Sequence, residues 1–355
     1  MCQNNGTERP REEGGHLVYR KGDVLLNRFV LEETFGEGTF GKVIRAVDKN
    51  HDNSVVALKV IKNVQKYRDA ARLEIKVLRK LADYDKDNNH WIIHMDAHFD
   101  YRGHPCLIFD LLGPSIFDFL KSNDFVPFPI CQIVHISWQL SNAVMFLHDH
   151  KITHTDLKPE NILFISGEYT MRVVSHKQRK IITNTHIRLI DFGSATCDHE
   201  HHSKTVSTRH YRAPEIILEL GWDQSCDVWS VGCIIFELYT GITLFQTHDN
   251  LEHLAIMERV IGDIPLRMAK QSRTPYFKSN RRLNWDTSSR EAQYVREKVH
   301  PMRYYITHRN PAHLLLFELM EDMLTFEPFG RIKLSEAIKH PLFARMPVEK
   351  RTSQQ

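Results

Sequence analysis

Apolar and polar positions divide this chain into two unlike parts. From Arg28 the apolar positions come in short runs: Phe29-Val30-Leu31, then Lys42-Val43-Ile44-Arg45-Ala46-Val47 beyond a glycine turn. Ser54 to Ile61 (SVVALKVI) and Cys106-Leu107-Ile108-Phe109 continue the series. Runs this short and this rich in β-branched residues predict strands, with 54–61 buried. One stretch among them, Tyr67 to Leu81, places Leu73, Val77 and Leu81 at i, i+4 and i+8, which predicts a helix with those three facing inward. Gly113-Pro114 punctuates the exit from the last of these strands. The period then lengthens. Pro129 to His150 carries one apolar face through Ile133, Ile136, Leu140, Val144 and Leu147, and 225–239 (SCDVWSVGCIIFELY) is apolar on nearly every side, which predicts a buried helix. Two short strands, the second of them Ile187-Arg188-Leu189-Ile190, flank a polar insert over 166–186. The fold class expected is α+β: a small antiparallel β-rich part with one main helix over 24–112, and a large, mainly helical part over 113–344. Residues 1–23 read as a polar extension and 345–355 as a polar tail.

Composition narrows the class of partner. A hydrophobic content of 42% with 26% charged residues is that of a soluble globular protein. The net charge of +3 gives no case for direct nucleic-acid binding. The six cysteines are scattered with no C-x-x-C pair, which argues against a disulfide framework and a structural zinc site. No run of about 18 apolar residues and no signal-peptide core stand out, so no membrane and an intracellular location are expected.

The densest set of reactive groups is His154-Thr155-Asp156-Leu157-Lys158-Pro159-Glu160-Asn161. Asp156 can accept a proton from a hydroxyl, Lys158 can hold negative charge, and Asn161 can ligate a hard cation through its carbonyl oxygen. Pro159 stiffens the turn between them. Those are the parts that phosphoryl transfer needs. Gly36-Glu37-Gly38-Thr39-Phe40-Gly41-Lys42-Val43 fits G-x-G-x-x-G-x-V, a spacing that also opens dinucleotide-binding folds. A dinucleotide fingerprint runs from strand into helix. Here the glycines join two predicted strands and the next helix begins only near Tyr67, so a phosphate-covering hairpin fits better. Glycine lets backbone N–H groups approach phosphate oxygens with no Cβ between.

Val56-Ala57-Leu58-Lys59 follows on a strand. A lysine there is costly unless its charge has partners, and Glu74 and nucleotide phosphates are the candidates. Asp191-Phe192-Gly193 follows a short apolar strand, and Asp191 with Asn161 makes a hard-oxygen pair suited to Mg2+. Taken singly, a snorkelling lysine and a chance turn are the plainer readings of these two; their order along the chain argues against both. Glu215, in Ala213-Pro214-Glu215, is expected to pair with Arg331, Asp227 to anchor the scaffold, and His154 to pack in the core. His199, His201 and His202 make no credible metal site.

In this order the motifs match the protein-kinase set, and from about Val24 to Ala344 the chain resembles a eukaryotic protein kinase. His154-Thr155-Asp156, Asp198-His199-Glu200-His201-His202-Ser203, Ser207-Thr208-Arg209-His210-Tyr211-Arg212 and Glu252-His253-Leu254-Ala255-Ile256-Met257-Glu258-Arg259 together resemble the LAMMER or CDC-like (Clk) kinases. The last departs from the family's E-H-L-A-M-M-E-R at Ile256, a swap that keeps size and apolarity. The 166–186 insert resembles the hairpin these kinases carry, and 245–310 their family insert region.

The resemblance implies the two-lobed kinase fold and transfer of the ATP γ-phosphoryl group to serine or threonine, with tyrosine autophosphorylation. Arginine/serine-rich splicing factors in the nucleus, with the cytoplasm as a second location, would be the substrates, and a monomer is expected. Residue by residue, Val43, Ala57 and Leu163 would enclose the adenine, Phe109 would be the gatekeeper, and the backbone of Asp110 and Leu112 would bond the base. Thr208 would sit beside Asp156 and Lys158, with Glu160, Arg209 and Arg212 as candidate substrate contacts. Glu160 would meet an arginine just before the target serine, or serve as a structural glutamate. The helix around Glu252–Arg259 is expected to be buried, with Glu258 in an internal ion pair; a docking surface is the alternative. Thr155 stands where the kinase pattern has an arginine, which in many kinases binds a phosphate on the activation segment, so activity independent of that phosphate is expected. A pseudokinase scaffold and a small-molecule phosphotransferase are the rival readings.

Overall fold

The computed structural model describes residues 14–174, 177–344 and 346–347. The chain divides into two compact units, one made of residues up to 86 with 93–112, the other of 87–92 with the chain from 113 onward.

The first unit is a six-stranded antiparallel sheet with one long helix. Its strands are β1 (Val24–Leu25), β2 (Phe29–Glu37), β3 (Gly41–Asp48) and β4 (Ser54–Ile61), then, after the helix α1 (Gln65–Tyr84), β5 (Met95–Tyr101) and β6 (His104–Asp110). They lie in the order β1-β2-β3-β4-β6-β5. Successive side chains of a strand point to opposite faces. Phe29 and Leu31, Ile44 and Ala46, Val56, Leu58 and Val60, and Cys106 and Ile108 therefore share one buried core. The same alternation sends Val43, Ala57, Lys59, Leu107 and Phe109 to the opposite face. The sheet's core thus fixes which residues are left for chemistry.

Two expectations need correction here. Leu73 is exposed (53%), and α1 buries Ala71, Glu74, Val77, Leu78 and Leu81 instead. The inward stripe runs through 74, 77, 78 and 81, and Leu73 lies about 100° off it. The periodicity was obscured because a charged residue, Glu74, occupies an inward position. The strand β5 was not anticipated, although Met95, Ala97, Phe99 and Tyr101 alternate with Asp96, His98 and Asp100 in the period of a half-buried strand.

The second unit is mainly helical. Its first elements are α2 (Ile116–Ser122) and α3 (Ile130–Asp149), followed by β7 (Ile152–Thr153), β8 (Ile162–Phe164), β9 (Tyr169–Val174), β10 (Lys177–Ile182), β11 (Ile187–Leu189) and β12 (Thr196–Cys197). The helices α4 (Pro214–Ile217), α5 (Ser225–Thr240) and α6 (Asn250–Ile261) come next. By length and composition α3 is apolar enough to cross a membrane, contrary to the sequence reading, but 61% of its apolar window is buried within the protein. It is the core helix against which α5 packs. All of α5 from Cys226 to Tyr239 is buried, as its all-round apolarity predicts.

In α6, Asp249 caps the N-terminus by accepting from the N–H groups of Leu251 and Glu252. His253 to Met257 and Val260 are buried. Glu258 departs from expectation. Among the described residues it has no ion pair; it is half-buried and accepts from the Ile264 N–H at 3.3 Å. Partial burial holds its carboxyl above the usual range. A backbone amide satisfies this acid at the helix end, so no cation is required.

The expected Glu215–Arg331 pair is present and deeply buried, at 1% and 0% side-chain exposure. Arg331 Nη1 and Nη2 donate to the two carboxylate oxygens at 2.9 and 3.0 Å. The guanidinium also donates to the carbonyls of Ser225, Thr325 and Phe326, and it lies over the Trp229 ring. Every donor has a partner, which is the condition for a buried ion pair to be tolerated. Arg331→Met removes five donors and leaves the Glu215 carboxylate buried without its cation. The expected loss is about 3–5 kcal/mol of unfolding free energy, measured by chemical denaturation, and Glu215→Gln with Arg331→Met should recover part of it.

Candidate active site

Two small ladders bracket the reactive loop. β7 pairs with β12 through Thr153 and Thr196 and through Ile152 and Cys197. β8 pairs with β11 through Ile162 and Leu189. Residues 154–161 and 190–195 are the two connections left between these ladders, so the topology lays them side by side. The Ile190 N–H bonds the Asn161 carbonyl at 2.9 Å.

Asp227, in the first turn of α5, sets the loop's conformation. One oxygen of its carboxylate accepts from the His154 N–H at 2.8 Å and from His148 Nε2 at 3.0 Å. The other accepts from the Thr155 N–H at 2.9 Å. The His154 ring is fully buried. Its Nδ1 accepts from the Asp156 N–H at 3.3 Å, which makes Nε2 the protonated nitrogen that donates to the Ile190 carbonyl at 3.1 Å. This histidine packs on Phe192 and ties the two loops together. It is structural, as its sequence context suggested. Thr155, at φ +67°, donates from Oγ1 to the Ser194 carbonyl at 2.8 Å. Ser194 was not anticipated, because a backbone acceptor leaves no mark on the sequence.

With the backbone fixed, the reactive side chains converge. Asp156 Oδ2 accepts from Lys158 Nζ at 2.6 Å, and Oδ1 accepts from the Thr208 hydroxyl at 2.6 Å and its N–H at 3.0 Å. Lys158 also donates to Thr208 Oγ1 at 3.2 Å. Asp156 and Lys158 remain partly accessible, each with about a fifth of its side chain exposed. Asn161 donates from Nδ2 to the Asp156 carbonyl at 2.8 Å, which sets its orientation and leaves its amide oxygen as the atom that would ligate a cation. Asp191 follows directly after the 190–161 bond, at φ +65°. A neutral and an anionic hard oxygen donor on adjoining loops form a set that suits a small divalent cation sharing its remaining sites with phosphate and water.

Arg209 donates to Asn250 Oδ1 at 2.7 Å, and Arg212 donates to the carbonyls of Val206 and Ser207 at 2.9 and 2.8 Å. Both guanidiniums thus support the segment that carries Thr208. Glu160 is exposed, and its carboxyl is raised by partial loss of water, opposed by Lys158. Leu163 lies on β8 opposite Arg188.

The first unit carries the other candidate residues. Lys59 Nζ donates to Glu74 Oε1 at 2.7 Å, with 19% and 5% side-chain exposure. On the ladder Lys59 lies opposite Val43 and Leu107, and Ala57 lies opposite Phe109. Asp110 ends β6 and Leu112 follows it. The glycines differ among themselves. A Cβ on Gly41 would meet the Val60 carbonyl oxygen at 2.1 Å, so strand pairing itself demands glycine there. Gly36 and Gly38 have nothing within 4 Å of such a Cβ and no positive φ. Among the described residues nothing crowds the backbone at those two positions, room of the kind that suits a phosphate lying against it.

A sheet-and-helix unit with this lysine–glutamate pair, and a helical unit with this loop, define a protein kinase domain. The pattern of the protein kinase domain family matches residues 29–343, and the chain belongs to that family. Within it, the chain belongs with the LAMMER, or CDC-like, kinases. It is 54% identical over 337 residues to dual specificity protein kinase CLK2 of Homo sapiens, covering 94% of this chain and 68% of that protein. It is 60% identical over 347 residues to probable dual specificity protein kinase madd-3 of Caenorhabditis elegans, covering 98% and 39%. Serine/threonine-protein kinase Doa of Drosophila melanogaster is 52% identical, covering 96% and 42%. The chain thus spans about two fifths of the length of the worm and fly relatives. A solved kinase-domain crystal structure superposes with a TM-score of 0.85 at 36% identity, covering 93% of this chain and 99% of that one.

One buried acid near the site titrates in the neutral range. Glu237 is 3% exposed and accepts the Tyr211 hydroxyl at 2.7 Å. Burial pushes its carboxyl from 4.5 up to about 7. The folded state therefore binds this proton more tightly than the unfolded chain. The resulting stability is fully present below the unfolded value and is lost as pH rises through the folded one, a contribution of about 3 kcal/mol. Glu237→Gln keeps an acceptor for Tyr211 and removes the titration. Denaturation midpoints at about pH 5 and about pH 8 should differ less in the variant than in the parent; equal differences would exclude Glu237 as the source.

Proposed function

We propose that this chain is an active protein kinase that transfers the ATP γ-phosphoryl group to serine and threonine hydroxyls, and to tyrosine in autophosphorylation. The observation that carries this reading is the Asp156 carboxylate, which already holds one alcohol, that of Thr208, at 2.6 Å with Lys158 across both groups. A substrate hydroxyl reaching the same carboxylate gives up its proton to Asp156 as its oxygen bonds to phosphorus and the bond to ADP breaks. Lys158 holds the negative charge of the transferring group, and Lys59, fixed by Glu74, orients the phosphates. Gly36, Gly38 and Gly41 are assigned to the hairpin that covers those phosphates. Val43, Ala57, Phe109 and Leu163 are assigned to the adenine surroundings, with backbone bonds from Asp110 and Leu112. Asn161 and Asp191 would hold magnesium, which when bound supplies neutralisation of the phosphate charge. Every position this chemistry needs is filled, which is the case against a scaffold without turnover.

For the substrate, we infer arginine/serine-rich proteins of the splicing machinery and hence a nuclear setting. The CLK relatives are named dual-specificity kinases, and the family resemblance adds the substrate class. Glu160, exposed on the loop of Asp156 and Lys158, supports this reading as a carboxylate able to pair with an arginine preceding the target serine. A chromatographically pure sample should phosphorylate Arg-Ser repeats in preference to acidic and proline-directed peptides. Asp156→Asn should lower kcat about a hundredfold or more, and Glu160→Ala should erase the preference for arginine while sparing kcat. Turnover unaffected by Asp156→Asn would reject the assignment.

The Thr155 geometry supports a second reading, that activation-segment phosphorylation is dispensable. Its hydroxyl is committed to the Ser194 carbonyl, and threonine cannot make the charged bidentate pair that arginine makes with phosphate. Enzyme treated with phosphatase, checked by mass spectrometry, should retain most of its activity; loss of nearly all of it would refute this.

A further inference from the structure

The hairpin of β9 and β10 is a two-stranded sheet whose two edges are treated unequally. The bond from the Thr183 N–H to the Glu168 carbonyl, at 2.9 Å, sets the phase of its ladder. The backbone groups of Tyr169, Met171 and Val173 then point away from β10, and those of Lys180 and Ile182 point away from β9. The outer edge of β10 is covered. Asn123 accepts the Lys180 N–H at 2.9 Å and donates to its carbonyl at 3.0 Å, and Gln132 donates to the Ile182 carbonyl at 2.8 Å. No group among the described residues bonds the outer backbone of β9.

That open edge also carries exposed apolar side chains: Tyr169 at 48%, Met171 at 50% and Val173 at 72%. They share a face with Lys180, whose ammonium lies 5.0 Å from the Tyr169 ring centroid. Arg172 and Lys177 lie on the other face, and Arg179 beside them is engaged by Asp124 at 3.2 Å. Glu168 is the acidic residue set against these cations within 168–182. Folded proteins blunt or cover an exposed apolar edge unless it receives another strand.

We propose that the outer edge of β9 docks an extended segment of another protein that alternates apolar and acidic residues. Its backbone pairs with Tyr169, Met171 and Val173, its apolar side chains lie on theirs, and its carboxylates face Arg172 and Lys177. A second copy of this chain fits poorly, because pairing two such edges brings Arg172 and its cationic neighbours together.

Fluorescence anisotropy of a labelled peptide alternating valine and glutamate, titrated with the full chain, tests this. Saturable binding that weakens with ionic strength is expected, with no binding of the same peptide carrying lysine for glutamate. Met171→Pro removes an outward N–H without removing a ladder bond, and Arg172→Glu reverses the charge. Either should lower affinity about tenfold or more and leave peptide phosphorylation by the chain unchanged. Absence of saturable binding, equal binding of the lysine peptide, or unaltered affinity in both variants would overturn the proposal. So would self-association in sedimentation that Met171→Pro abolishes, which would make a second copy the occupant.

Discussion

The Asp227 carboxylate is the constraint on which the reactive loop depends. It is 1% exposed, and a buried charge is tolerated only when donors surround it. The donors it finds are the main-chain N–H groups of His154 and Thr155 and the His148 ring, so satisfying this acid dictates the path of the loop. The acid is itself immobile, because it sits in the first turn of a helix buried on every side. From there the order propagates. The His154 ring reaches the Ile190 carbonyl and the Thr155 hydroxyl reaches the Ser194 carbonyl, so the segment bearing Asp191 is fixed by the same anchor. Apolar burial supplies the rigidity, and one carboxylate converts it into the placement of Asp156.

A second group of buried polar contacts fixes the segment that carries Thr208. Glu215 is clamped by Arg331, the Tyr211 hydroxyl by Glu237, and the Tyr211 carbonyl by Ser230 Oγ at 2.8 Å. Arg212 closes the turn by holding the carbonyls of Val206 and Ser207. Thr208 lies between these fixed points and is delivered to Asp156 without an ion pair of its own. Arg209 and Arg212, the candidate substrate contacts, direct hydrogen bonds to Asn250 and to the carbonyls of Val206 and Ser207.

What was legible in the sequence follows from what leaves a side-chain pattern. The strands Phe29–Glu37 and Ser54–Ile61 and the helix Ser225–Thr240 declare themselves by apolar period, and the loop His154–Asn161 by the chemistry of its residues. The Glu215–Arg331 pair was expected from the Ala213-Pro214-Glu215 motif, and the structure buries it. Leu73 was misread because a charged residue, Glu74, occupies an inward position of α1, so that burial and apolarity part company there; β5 was missed although its residues alternate. Glu258 was misassigned because its partner is a backbone amide. The Ser194 acceptor and the uneven edges of the 169–182 hairpin are likewise main-chain features, which residue types do not report.

Thr155 brings these two kinds of information together. Among the described residues it is the β-branched one at positive φ, a region where branching at Cβ makes the backbone a genuine outlier. Strain of this kind costs on the order of 1–3 kcal/mol and persists only where surrounding contacts over-determine it. Here the N–H is fixed by Asp227 and the hydroxyl by Ser194, so both polar groups of the strained residue are held by separate elements. An arginine at this position would relieve the branching at Cβ but lose the short hydroxyl tether to the Ser194 carbonyl. On the reading proposed above, threonine where the kinase pattern has arginine moves the loop's restraint to a main-chain acceptor, the Ser194 carbonyl.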